Sequence, residues 1–184
     1  GRVAVEKNLP AFLSLDLPGS KVVIGAGPQA AELKRRYPGA KFLGQLDNGI
    51  LAAHLAAADV FVFPSRTDTF GVVQLEALAS GVPIAAFPVT GPKDVIGNNP
   101  VGVLNEDLRA ACMQALWISR ESCREFALRY SWENSARQFI GHARKIAAVV
   151  AREAAPAAAE TAPQSDGQML VPGCTTEVTH EHTV

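Results

Sequence analysis

Short apolar runs alternate with amphipathic segments up to about residue 105 of the chain. The runs are continuous rather than alternating in polarity, which is typical of strands that are covered on both faces of a parallel sheet. The predicted strands are residues 21–25, 41–44, 60–64, 83–87 and 102–104. The predicted helices between them are residues 9–15, 29–37, 50–57 and 72–79. This order predicts an α/β fold, a parallel sheet with helices on both faces.

The last part of the chain has a different character. Residues 106–117 and 119–130 predict two helices, and Ser131 is a predicted N-cap for a long helix through Ile146. From residue 151 the chain is rich in alanine and proline and then polar, with too few large apolar side chains to form a core. We therefore predict a folded domain over residues 1–150 and a disordered tail over residues 151–184.

Composition excludes several classes of partner and compartment. The net charge of −1 and the dispersed basic residues indicate no nucleic-acid partner. The cysteines Cys112, Cys123 and Cys174 lack C-x-x-C spacing and are expected to be buried or half-buried free thiols in a reducing cytosol. No apolar run is long enough to span a bilayer. We expect a cytoplasmic protein, for which membrane contact would be peripheral, at the inner face of the membrane.

The chemistry of the chain is concentrated in residues 61–86, which predict a strand, a polar loop, a helix, a Gly-Pro stop and a second strand. Asp68 and Glu76 flank the point where the loop becomes the helix. A helix start offers unpaired N–H groups and the positive end of a dipole, and so suits a phosphate group. Carboxylates on either side could hold hydroxyl groups, so the arrangement suits a nucleotide-sugar.

Two motifs in this sequence resemble those of one enzyme family. Asp68-x7-Glu76, within PS-x4-FG-x3-LEA-x2-SG-x-P, resembles the acidic motif of retaining GT-B glycosyltransferases, in particular glycosyltransferase family 4, which usually has Glu where this chain has Asp68. GRVAVEKN at residues 1–8 resembles the G-R-x3-E-K-(G/N) motif of that family. The resemblance covers roughly residues 1–147 and implies the C-terminal, donor-binding lobe with a Rossmann-like sheet. It also implies an N-terminally truncated sequence that lacks the first strand of this lobe and the whole N-terminal lobe.

The resemblance assigns roles to residues of both motifs. Arg2 and Lys7 would neutralise the donor diphosphate and stabilise the departing nucleotide. Asp68 would reach hydroxyl groups of the transferred hexose, and Glu76 would accept hydrogen bonds from the ribose. The residues whose backbone N–H groups would face the hexose and phosphate are Thr69, Phe70, Gly71 and Val72. Surface charges for Arg2 and Lys7, and a helix-capping carboxylate for Asp68, are the structural alternatives.

Further positions are assigned by the same resemblance. The Gly25-Ala26-Gly27-Pro28 turn would let the backbone approach the donor, although a tight strand-to-helix connection explains it equally well. Leu43 and Gly44 would line the nucleobase pocket. We expect the Phe70 side chain to pack in the core, and Glu76 to lie on a helix face otherwise buried by Val72, Leu75 and Ala79. Residues 91–94 resemble a turn of the same enzyme family that faces the cleft of those enzymes.

The implied reaction is transfer of a hexosyl group, mannosyl or glucosyl, from a GDP-, UDP- or ADP-sugar to a hydroxyl group, with retention of the anomeric configuration. No cofactor and no metal are expected, because enzymes of this fold use cations and a helix dipole where others use a divalent ion. The acceptor, a lipid or saccharide, would bind through the missing lobe, so we expect this chain alone to be inactive. The alternatives are a non-catalytic nucleotide-sugar-binding remnant and, less favoured, a GT-B nucleotide-sugar epimerase.

Overall fold

The computed structural model describes residues 1–158, which form an α/β structure with parallel sheets flanked by helices. β1 (Val22–Ile24) pairs with β2 (Lys41–Gly44), and β4 (Ile84–Ala86) lies between β3 (Phe61–Phe63) and β5 (Gly102–Leu104). All of these pairings are parallel. The predicted strands are confirmed, each to within one residue at either end, and hydrogen bonding divides them into a two-stranded and a three-stranded sheet.

The helices follow the predicted order, with two additions. Their bounds are α1 Leu9–Leu13, α2 Ala30–Arg36, α3 Asn48–Ala56, α4 Val72–Ala79, α5 Thr90–Ile96, α6 Leu108–Ala115, α7 Arg120–Ala127 and α8 Trp132–Ala158. The additions are α5 and a short 3-10 turn at Val5–Lys7. The turn predicted at residues 91–94 is wrong, because Pro92 lies in the first turn of α5, where its missing N–H group costs no helical hydrogen bond.

The largest core cluster joins β3, β4 and the helices that cover them. Leu78 of α4, Ile84 of β4 and Phe126 of α7 belong to this cluster, and the first two are completely buried. A second cluster, which includes Val3 and Leu33, packs around β1. The N-terminal segment is thus part of the core, because Val3 is only 1% exposed. This burial positions the adjacent charged residues of the first motif.

The C-terminal part of the described chain is helical beyond the predicted domain boundary. Residues Gly1–Arg137 form one compact unit, and a second unit begins at Gln138 within α8. The helix continues to Ala158, and alanine, the strongest helix former, dominates residues 151–158. The rest of the predicted tail lies outside the described residues. Within residues 1–158, no helix combines the length and apolarity needed to cross a membrane.

Cys112 and Cys123 are buried free thiols, as predicted, and Cys174 lies outside the described residues. Burial raises the pKa of both Cys112 and Cys123 to about 11. In a Cys174→Ser variant at pH 8, we therefore expect a disulfide reagent to modify the folded protein roughly two orders of magnitude more slowly than an exposed thiol. In denaturant, both thiols should react rapidly. Rapid modification of the folded variant, followed by absorbance, would contradict this assignment.

Candidate functional site

The N-terminal segment lies along the end of β1. The amino nitrogen of Gly1 donates to the carbonyl oxygen of Ile24 at 2.7 Å, and the N–H of Val3 donates to the carbonyl of Ala26 at 2.9 Å. Gln29, at the start of the next helix, donates its N–H to the carbonyl of Val3 at 3.1 Å. The first motif is therefore held at the carboxyl end of a parallel strand, where α/β folds place their ligand sites.

The glycines that follow β1 are required by this packing. A Cβ atom at Gly25 would lie 1.7 Å from the carbonyl oxygen of Gly1, and one at Gly27 would lie 2.3 Å from that of Val3. Gly25 also has a φ of +138°, which side chains rarely allow. Each glycine thus lies against the backbone of the N-terminal segment, which agrees with the interpretation of this turn as a tight strand-to-helix connection. Contact of these glycines with a donor stays a prediction.

A cavity of about 300 Å³ opens between the N-terminal segment, the end of β1 and the segment that follows β2. Its lining residues are Gly1, Arg2, Ile24, Gly25, Ala26, Gln45, Leu46 and Leu51. Leu43 and Gly44 precede this lining and are not part of it. Sequence reasoning missed Gln45, Leu46 and Leu51. The signal that could have found the first two was their position directly after a predicted strand.

Lys7 and Asp68, 61 positions apart in the sequence, form an ion pair. The Nζ atom of Lys7 donates to Oδ1 of Asp68 at 2.7 Å and to Oδ2 at 2.8 Å. Both side chains are mostly buried, with exposed fractions of 31% for Lys7 and 23% for Asp68. The structure thus joins the two sequence motifs through a direct contact of their predicted catalytic side chains.

Asp68 is ionised at neutral pH. Burial acts to raise the pKa of its carboxyl group, but its polar surroundings, above all the hydrogen bonds and the positive charge of Lys7, outweigh burial, so the pKa lies below its usual value. A lowered pKa means that Asp68 stabilises the fold above the pKa of the unfolded chain. That contribution is lost as the pH falls through the lowered value.

Two further hydrogen bonds flank the ion pair. Ser65, which is only 1% exposed, donates its hydroxyl to the carbonyl of Glu6 at 3.0 Å. The Nδ2 group of Asn8 donates to the carbonyl of Pro64 at 3.1 Å. Asn8 has a left-handed backbone with φ of +49°, a conformation that asparagine tolerates better than most residues. Residues 6–8 are thereby fixed against the loop after β3 on both sides of Lys7.

The loop after β3 turns into α4 at Gly71, which has a φ of +78°. A Cβ atom at Gly71 would lie 2.8 Å from Nε2 of Gln74 and 2.9 Å from the ring of Phe63. The turn is held by Gln74, whose amide donates to the carbonyl of Phe70 at 2.8 Å. Phe70 itself is 38% exposed, so the expectation that it packs in the core is wrong. Thr69 and Val72 are exposed as well.

Glu76 lies on the exposed side of α4. The helix buries Gln74, Ala77 and Leu78, whereas Val72 and Ala79 of the predicted face are exposed and Leu75 is half-buried against the core. That face prediction is wrong because Gln74, a polar residue, faces inward and bonds to the preceding loop. Burial lowers the pKa of the Gly1 amino group, while the Glu76 charge raises it and the Lys7 charge lowers it. The charges of Glu76 and Lys7 thus both act on the amino group of Gly1.

Arg2 is positioned differently from Lys7. Its guanidinium group lies 3.8 Å from the carboxylate of Glu6, and its side chain is 70% exposed at the lining of the cavity. An exposed pair at this distance contributes little to stability. Arg2 is thus available to a ligand, whereas Lys7 is already engaged by Asp68.

A family model agrees with this geometry: residues 14–118, more than half of the chain, match the model of glycosyl transferases group 1. The chain belongs to the glycosyl transferases group 1 family. The matched region includes Asp68 and Glu76 and excludes Arg2 and Lys7. The likeness that the sequence motifs predicted is therefore confirmed at the level of the family.

Curated relatives and a solved structure extend the match. A GDP-mannose-dependent alpha-mannosyltransferase of Mycolicibacterium smegmatis is 33% identical over 153 residues, 77% of this chain and 41% of that protein. The sulfoquinovosyl transferase SQD2 of Arabidopsis thaliana is 38% identical over 107 residues, 55% of this chain and 21% of that protein. AviGT4, a glycosyltransferase involved in avilamycin A biosynthesis, has a TM-score of 0.64 at 18% identity, covering 80% of this chain and 50% of that one.

These matches place the chain in the GT-B fold, consistent with glycosyltransferase family 4. The chain spans less than half the length of both curated relatives. The predicted binding roles of the individual site residues remain predictions. The structure adds their placement: the members of the two motifs converge at the ends of β1 and β3. Leu43 and Gly44 do not line the cavity, although the carbonyl of Gly44 accepts a hydrogen bond from the lining residue Gly25 at 2.7 Å.

Proposed function

We propose that this chain binds a nucleoside diphosphate sugar and is the donor-binding part of a retaining hexosyltransferase. The observation that carries the proposal is the ion pair of Lys7 with Asp68, which joins the two motifs beside the start of α4. The relative named as GDP-mannose-dependent makes a GDP-sugar with a mannosyl group the first candidate donor, ahead of UDP- and ADP-sugars. The acceptor would be a hydroxyl group of a lipid or a saccharide.

Each part of the donor has a counterpart at the site. The nucleobase would enter the cavity beside Gln45 and Leu46. The ribose hydroxyls would donate to Glu76, which is exposed and free of any ion pair among residues 1–158. The diphosphate would lie between Lys7, Arg2 and the first N–H groups of α4, where a helix dipole favours an anion.

The proposed chemistry is charge stabilisation of the departing diphosphate. When the bond between the sugar and the diphosphate breaks, negative charge grows on the phosphate oxygen, and fixed cations lower the energy of that state. Lys7 is already fixed by Asp68 and by the hydrogen bonds on either side of it. We propose that Lys7 and Arg2 act here in place of a divalent ion, so binding should be equal in magnesium and in EDTA.

Titration calorimetry with GDP, UDP and ADP tests the proposal. We expect one nucleotide to bind, and Glu76→Gln to weaken its binding by roughly 10- to 150-fold, because a hydrogen bond to a charged group contributes about 1.5–3 kcal/mol. Glu125→Gln, at an exposed position of α7, is the matched control and should leave the affinity unchanged. Equal affinity of the Glu76 variant and the unaltered chain would refute the role of Glu76.

A further inference from the structure

The carboxylate of Asp68 is committed to a protein partner before any ligand binds. Both of its oxygens accept hydrogen bonds from Lys7, at 2.7 and 2.8 Å, and the Asp68 side chain is only 23% exposed. Charge-assisted hydrogen bonds of this length are among the strong ones in proteins. A carboxylate that recognised the hexose would have to give up part of this pairing or share it with the sugar.

The surroundings of the pair allow little movement of either backbone. Ser65 and Asn8 each bridge the two segments, on either side of Lys7. Behind the loop, the carbonyl oxygen of Asp68 packs so closely on α5 that a Cβ atom at Gly91 would lie 2.6 Å from it. Asp68 is therefore anchored through its backbone and its side chain, and the side chain points to Lys7.

We propose that Asp68 is a positioning residue, which holds the ammonium group of Lys7 toward the donor diphosphate and does not recognise the transferred hexose. This inference rests on the proposed function. The Lys7 ammonium group has three N–H donors, and its contact with the single Asp68 carboxylate does not occupy all of them. A donor thus remains for a phosphate oxygen, and the 31% exposed fraction of the Lys7 side chain provides access to it.

The length of the side chain agrees with this role. Asp68 is one methylene shorter than the glutamate that the sequence motif usually carries, so its carboxylate is drawn back by about 1.5 Å, the length of one C–C bond. At that length the carboxylate meets Lys7 with both oxygens. The consequence is a specificity rule: Asp68 should matter for the nucleoside diphosphate and should not distinguish the sugar attached to it.

The test compares GDP with GDP-mannose on the 184-residue chain, by titration calorimetry of Asp68→Asn, Lys7→Met and the double variant. We expect Asp68→Asn to weaken both ligands by the same factor, on the order of tenfold. The double variant should bind no more weakly than Lys7→Met, since Asp68 acts through Lys7. Asp68→Glu, which can still reach Lys7, should restore the affinity for GDP to within a few fold.

Two results would overturn the inference. The first is an Asp68→Asn variant that binds GDP normally and GDP-mannose weakly, because only a direct hexose contact separates the ligands in that way. The second needs no nucleotide: urea unfolding of the unaltered chain, Asp68→Asn, Lys7→Met and the double variant gives the coupling energy between Lys7 and Asp68, and a coupling of zero contradicts the pairing. If the unaltered chain bound no GDP, UDP or ADP, the proposed function would fail, while the coupling would still test the ion pair.

Discussion

Replacing Leu78 by alanine is expected to lower the free energy of unfolding by about 2–5 kcal/mol. Leu78 is 0% exposed and packs in the cluster that joins β3, β4 and α7. Its truncation leaves a cavity in contact with Ile84 and Phe126, whose backbones are fixed by a strand and a helix. For a chain of this size each kcal/mol corresponds to roughly 2–4 °C, so the melting temperature should fall by roughly 5–20 °C.

Leu128→Ala is the matched control for Leu78→Ala, because Leu128 is 66% exposed at the end of α7. An exposed substitution of this kind usually changes stability by less than about 0.5 kcal/mol. Urea unfolding followed by circular dichroism compares the two variants. An equal loss of unfolding free energy in both variants would show that the interior is not packed around Leu78 as described.

Gly91→Ala should destabilise the protein by about 1–3 kcal/mol and weaken nucleotide binding as well. Gly91 is buried in the first turn of α5, and a Cβ atom there would lie 2.6 Å from the carbonyl oxygen of Asp68 and 3.3 Å from the nitrogen of Phe70. Backbone atoms cannot give way as a flexible side chain can. The loop that carries Asp68 must therefore shift, and the Lys7 pair must shift with it.

Gly49→Ala provides the control for Gly91→Ala. Both glycines are the second residue of a helix, but a Cβ atom at Gly49 would meet nothing within 4 Å. Alanine at such a position is neutral or stabilising by about 0.4–1 kcal/mol, because it restricts the unfolded chain. Thermal unfolding and GDP titration of both variants give the comparison. Normal binding by Gly91→Ala would show that α5 does not support the site.

The strands and most helices could be predicted because their signals are local. Continuous apolar runs define β3 and β4, and Gly81 followed by Pro83 marks the end of α4. The wrong prediction of a turn at residues 91–94 also has a local origin. Glycine and proline at the start of α5 are typical of a turn, but Pro92 is tolerated in the first turn of a helix, and Gly91 leaves room for the preceding loop.

The buried face of α4 could not be predicted from polarity. Periodicity assigns the interior to apolar positions, yet Gln74 is 0% exposed and its amide bonds to Phe70 across the turn. This places Glu76 on the exposed side, where it needs no protein partner and is available to a ligand. The functional prediction for Glu76 thus stands on a different physical basis from the one that the sequence suggested.

The ion pair illustrates what a single sequence leaves out. Motif resemblance selected Lys7 and Asp68 separately, each for a different part of the donor. Their contact spans 61 positions and depends on the N-terminal segment lying between the ends of β1 and β3. No local pattern encodes such a contact. For the same reason, Leu51 could not be predicted as part of the cavity lining, since it becomes a neighbour of Arg2 only in the folded chain.

The central claim is that this chain binds a nucleoside diphosphate at the site formed by both motifs. Thermal unfolding of the 184-residue chain with GDP, UDP and ADP in turn tests that claim most directly. A nucleotide at about 100 times its dissociation constant should add roughly 2.7 kcal/mol of stability, a shift of roughly 5–11 °C. We expect that shift with one nucleotide and its reduction in Glu76→Gln. A cooperative transition that none of the three nucleotides moves would contradict the claim.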